Sequence, residues 1–108
     1  MLFRSELQRA EALEFGYPAP EREAGVVARE SGLDIGRSAA IVAFGVRTRR
    51  LQGQGLDDGA STRMLVHAAL LVQQGQGLHS ACAMAVADAL SDEPGVRQAL
   101  HAALDASF

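Results

Sequence analysis

The chain contains no lysine: all ten of its basic residues are arginine. The Gly-x-x-x-x-Gly-Lys-Ser/Thr loop that cradles nucleotide phosphates is therefore absent, and these 108 residues cannot hydrolyse a nucleotide by that route on their own. Tryptophan is missing and aromatic residues make up only 5%. With many alanines present, this favours closely packed helices, because alanine has the best helix propensity and permits near approach. A single cysteine, Cys82, excludes an internal disulfide and suits a reducing compartment. No run approaches the ~18 apolar residues of a membrane span, and Met1-Leu2-Phe3-Arg4-Ser5-Glu6 turns charged too early for a signal peptide. A cytoplasmic protein with no membrane partner is the expectation. There is no basic surplus either: the net charge of −3 disfavours a nucleic-acid binder.

What is present is 48% hydrophobic residues in 108, enough for one domain with a single core. Residues 1–11 allow a short amphipathic helix with Leu2, Phe3, Leu7 and Ala10 on one side. Leu13-Glu14-Phe15-Gly16-Tyr17 alternates in the period of a strand. A lone strand must become coil, pair with another chain or belong to a missing sheet. Pro20 then suits a first helical turn, and the helix runs through Glu21, Val26, Val27 and Glu30 to Gly32. Asp34 caps a central helix with Ile35, Ala39, Val42 and Val46 on one stripe and Ile41, Phe44 and Leu51 on the next.

The stretch Gly55-Leu56-Asp57-Asp58-Gly59-Ala60-Ser61-Thr62-Arg63 separates that helix from the following one. Asp58 or Ser61 can cap the new helix, which carries Met64, Leu65, Ala68, Leu71 and Val72 on one face. Its other side is apolar too (Val66, Ala69, Leu70), so both faces are expected to be covered. After the Gln73–Gly77 loop, Cys82, Ala85, Val86, Ala89 and Leu90 repeat the helical spacing. Val96, Ala99, Leu100, Ala103 and Leu104 repeat it again behind Pro94, with Ser91 or Asp92 as the cap. The predicted fold is all-α, a bundle of four to five short helices, with the N-terminal segment as orphan strand, helix or coil.

Candidate chemistry is sparse. His67, His79, His101 and Cys82 match no structural zinc spacing, so no metal site is assigned. The apolar neighbours of Cys82 favour a buried, inert thiol. Arg47, Arg49 and Arg50 sit where a helix end favours cations, and read as a solvated terminus. Glu21, Glu23 and Glu30 read as a solvated face, with no nucleophile nearby. Arg63 is different, because a cation near a helix N-terminus opposes the macrodipole. On residues alone it reaches back to Asp57 or Asp58; alternatively it helps a helix N-terminus hold a phosphate.

In order, Phe15-Gly16-Tyr17-Pro18, Glu21/Glu23, Gly55-Leu56, Gly59-Ala60-Ser61-Thr62-Arg63, Ala81-Cys82 and Leu90-Ser91-Asp92-Glu93-Pro94 resemble the C-terminal part of the CbbQ/NirQ/NorQ ATPases. These form a branch of the MoxR group of AAA+ proteins, and the similarity runs from about Ala12 to the end. The resemblance implies a helical lid over residues 18–108, preceded by a 1–17 segment left from the last strand and hinge of an α/β core. It implies that Arg63 is the sensor-2 arginine, with Ser61 and Thr62 beside it at the nucleotide, and that Tyr17 and Pro18 lie at the hinge near the adenine. The cofactors it implies are ATP and magnesium in the parent ATPase and none in isolation. The partners are the AAA+ core domain (same or another chain), a hexameric ring and an activator protein, the whole serving Rubisco or a metalloenzyme such as nitric oxide reductase. Walker A and B, the arginine finger and the pore loops belong to the core and are absent from this chain. His79 stands where relatives are expected to carry arginine. Two rival readings are a stand-alone interaction module, self-associating through Leu13–Tyr17, and a small DNA-binding regulator.

Overall fold

A computed structural model describes residues 17–53, 56 and 58–108. Among these the fold is all-α, with five helices and no strand beyond an isolated bridge between Gln52 and Leu56. Helix α1 is Pro20–Ser31, α2 is Ile35–Arg49 and α3 is Thr62–Gln73. Helix α4 occupies residues 78–90, and α5 is Pro94–Ser107. The proposed helix over 1–11 and positions 13–16 of the proposed strand lie outside the described residues; Tyr17 itself is not in a strand.

Local chemistry explains most boundaries. Pro20 opens α1, and Gly32 closes it with a φ of 80°, its N–H donating to Ala28 O, a conformation that glycine adopts without steric cost. Asp34 caps α2 by accepting from Arg37 N at 2.9 Å. Of the two caps open for α3, Ser61 is the one used, accepting from Met64 N at 3.2 Å. At α5 the expectation fails. Glu93 is the capping residue and contributes no side-chain bond, because the Ser91 hydroxyl is held by Glu93 N in its own turn. Pro94 fixes the first turn instead.

Helix α2 is central, lying against α1, α3 and α5. Its buried face is Ser38, Ile41, Val42, Phe44, Gly45 and Thr48, rotated from the stripe the apolar pattern suggests: Ile35 is 59% exposed. Phe44 meets Phe108 at the end of α5 with ring centroids 6.0 Å apart. A Cβ on Gly45 would come within 2.8 Å of Leu65, so its absence permits the α2–α3 contact. Helix α3 buries Leu65, Ala68, Ala69 and Val72, with Val66 partly buried against the core; of the other side expected to be covered, only Leu70 is open, at 39% exposed.

Helix α4 is not the uninterrupted α-helix its spacing suggests. Residues Ala83–Ala87 form a π-helical turn, closed by Asp88 N donating to Ala83 O. The wider turn lets three successive residues, Ala85, Val86 and Ala87, all face the core, which a 3.6-residue period does poorly.

Candidate functional site

The loop into α3 is built against the end of α2. Thr48 Oγ1 donates to Gly45 O at 2.7 Å and accepts from Ala60 N at 3.0 Å, so one hydroxyl joins the helix to the loop. Gly59 lies flat on the same turn, where a Cβ would fall 2.5 Å from Arg49 Cα, a distance no side chain tolerates.

Arg49 ties the region together. Its Nη1 and Nη2 donate to Glu23 Oε1 and Oε2 at 2.7 and 2.6 Å, the two-bond fork that guanidinium and carboxylate planes favour. Its Nε donates to Ala60 O at 2.9 Å, and its Cζ sits 4.0 Å from the Tyr17 ring centroid, within cation–π range. Thr62 Oγ1 also donates to Glu23 Oε2, at 2.8 Å. The Arg49 and Glu23 side chains are 7% and 0% exposed. Both solvated-surface readings are thus corrected: Glu23 and Arg49 form a buried pair linking Tyr17, α1, α2 and the start of α3. A signal was available. Glu23 stands at i+4 spacing from Val27, and Arg49 at the same spacing from Gly45, within each helix's buried stripe. Arg47 and Arg50 point outward.

The residues singled out from the sequence fall on two sides of the first turn of α3. Tyr17 and Ser61 line a cleft of about 540 Å³ with Leu56, Met64 and Leu90. Arg63 opens instead onto a groove of about 550 Å³ between α1 and α3, with Val26, Arg29, Glu30, Thr62 and Val66. Arg63 is exposed, and it forms no ion pair with Asp58 or any other described residue; Asp57 lies outside the described residues. The Thr62 hydroxyl proton is spent on Glu23, and Pro18 is half-buried. At the first and second residues after the Ser61 cap, the N–H groups of Thr62 and Arg63 have no partner within the helix.

The histidines and the cysteine lie elsewhere. His79 Nε2 is 2.9 Å from Asp105 Oδ1, and Asp88 Oδ1 receives Arg97 at 2.9 Å and meets His101 at 3.2 Å. His67 is exposed on α3. Among the described residues no three His, Cys, Asp or Glu side chains are grouped to hold a metal. Cys82 is buried, and desolvation pushes its thiol up to about 12, the inert state its neighbours imply. No helix of the described residues is long and apolar enough to cross a membrane.

The CbbQ/NirQ/NorQ C-terminal family matches residues 23–107. The chain belongs to that family. It is 44% identical over 104 residues to the protein CbbQ of Hydrogenophilus thermoluteolus, covering 96% of this chain and 39% of that protein. It is 42% identical over 97 residues to the protein NorQ of Paracoccus denitrificans, covering 90% and 36%. The denitrification regulatory protein NirQ of Pseudomonas aeruginosa is 40% identical over 101 residues, covering 94% and 39%. The chain thus spans under two fifths of the length of these relatives. Glu23 is the first residue of the family match, which also takes in Arg49 and Thr62, whereas Tyr17 precedes it.

Proposed function

We propose that this CbbQ/NirQ/NorQ C-terminal domain is the lid of a MoxR-type AAA+ ATPase, supplying Arg63 to the phosphates of a nucleotide held mainly by a core domain. The observation that carries the reading is Arg63 itself: an exposed guanidinium with no ion pair among the described residues, in the first turn of α3. Such a placement opposes the helix dipole unless an anion is shared by the guanidinium and the free N–H groups beside it. A guanidinium fork grips a terminal phosphate through two bonds and stabilises charge developing in phosphoryl transfer. The half-buried Tyr17 lines its cleft on the other side of the turn, where the reading puts the base. Magnesium would be held by the phosphates and the core; among the described residues no three His, Cys, Asp or Glu side chains are grouped to hold it. One relative's name, denitrification regulatory protein NirQ, supports a denitrification enzyme as the parent system's target, Rubisco being the alternative that the family resemblance implies. The parent would remodel or activate it as a ring with a partner protein.

The first test is the intact mass of the native polypeptide, captured by an antibody to this domain. A species well above 11.4 kDa with P-loop peptides in its digest is the expected result. In that polypeptide Arg63→Ala should lower kcat for ATP hydrolysis about a hundredfold, the scale of losing one preorganised donor to a transition state. Arg63→Lys should recover little, because it keeps the charge but not the fork. A native species at this chain's own mass would overturn the lid reading in favour of a stand-alone interaction module.

A further inference from the structure

The lid reading assigns Arg63 a task but not the means of aiming it. A long exposed side chain at a helix start is only as well placed as that turn, and the first turn of α3 is held by side chains that are almost wholly buried. Thr62, immediately before Arg63, bonds Glu23 Oε2. Ala60, immediately before the Ser61 cap, is held through its carbonyl by Arg49 Nε and through its N–H by Thr48. On the far side of the same guanidinium lies the ring of Tyr17, at the point where the preceding chain enters the domain.

We infer that the buried Glu23–Arg49 pair is a positioning device that couples Tyr17 at the domain's entry to the first turn of α3, and thereby sets where Arg63 sits. This rests on the lid reading. Stability is a poor explanation for the pair, since apolar residues of similar size commonly serve as well or better in such a place. Geometry is a good one. The two Nη atoms and Nε hold the guanidinium plane to Glu23 and Ala60, while Tyr17 covers one face. The entering chain cannot turn its ring away without breaking the stack or moving the plane, and moving the plane drags both the Ala60 carbonyl and the Glu23 carboxylate to which Thr62 is tied. Neither member of the pair can itself hold nucleotide, because their side chains are 7% and 0% exposed. They act through Arg63.

Two readouts test this. In the 108-residue chain, Arg49→Lys loses the fork and the guanidinium over the Tyr17 ring while keeping the charge. Amide hydrogen exchange should speed up about tenfold or more in the first turn of α3, with α5 unchanged. Equal exchange in both helices, or none altered, would overturn the coupling. In the native polypeptide with its ATPase core, Thr62→Val should lower kcat about tenfold with KM for ATP within about twofold, and Thr62→Ser should restore it. Thr62→Val and Arg49→Lys should be non-additive, since both act through Glu23. Additive losses with a raised KM would mean that Thr62 touches nucleotide directly, and would sink the inference. The two levels fail separately: a silent Arg63→Ala removes the lid reading, while a strong Arg63→Ala beside a silent Thr62→Val removes only the positioning role.

Discussion

Two carboxylates in this domain gather cations, and their surroundings give them opposite significance. Glu23 is fully buried, accepts both arms of Arg49 and a threonine hydroxyl, and joins elements 26 and 39 residues apart. Asp88 stands at the surface between α4 and α5, accepts from Arg97 and meets His101, and its side chain is 42% exposed. Water can replace any partner that Asp88 loses. It cannot reach Glu23, so removing either member of that pair strands a charge in a low-dielectric interior.

The largest expected effect follows directly. Glu23→Ala leaves Arg49 buried and unpaired, and should cost about 3–5 kcal/mol. On a chain of this size that lowers the melting temperature by more than about 12 °C. Thermal unfolding followed by circular dichroism measures it, and a shift of only a degree or two would mean that Arg49 escapes to solvent and that the buried seam is far softer than it looks.

Next comes Gly59→Ala, which tests the seam without touching a charge. The added methyl would fall 2.5 Å from Arg49 Cα and 2.8 Å from Arg49 N, and backbone cannot retreat as a flexible side chain does. A loss of about 1–3 kcal/mol is expected, as for overpacking elsewhere. Gly53→Ala is not a suitable control because its φ is 82°, which penalises a side chain for another reason. Gly25, with nothing near its missing Cβ, is suitable, and Gly25→Ala should be neutral or stabilising inside α1. Equal outcomes at positions 25 and 59 would refute the close approach.

These buried contacts show where sequence reading succeeds and where it stops. Pro20, Asp34 and Ser61 open their helices because caps and first turns are local chemistry, settled within three or four residues. The fold class follows from such signals together with the apolar stripes. The seam does not, because a glutamate in a first turn already has a sufficient local explanation in the helix dipole, and an arginine at a helix end has its mirror image. Their pairing appears only once α1 and α2 are laid side by side. The π turn in α4 is hidden for a related reason: a run of alanines fits several periods, and packing chooses among them. Arg63 is prominent in the sequence through its motif, whereas the groups that aim it are not.

The smallest effect sharpens the comparison from the other side. Hydrogen bonding from His101 is the main cause holding the Asp88 carboxyl below its ordinary value; burial opposes it, and the hydrogen bond and charge of Arg97 add to the lowering. A carboxyl whose value is depressed by folding binds protons more weakly in the native than in the unfolded chain. Its contribution is therefore complete above the unfolded carboxylate value of about 4 and fades as pH falls through the lower folded value. At neutral pH, Asp88→Asn should cost less than about 1 kcal/mol, as exposed pairs do, and the loss should shrink further in high salt. The same substitution should flatten the acid side of the melting-temperature profile below about pH 4, where the native aspartate is taking up its proton. Glu23→Ala should show neither the salt dependence nor the small size. If Asp88→Asn destabilised as much as Glu23→Ala, burial would not be what separates the two carboxylates.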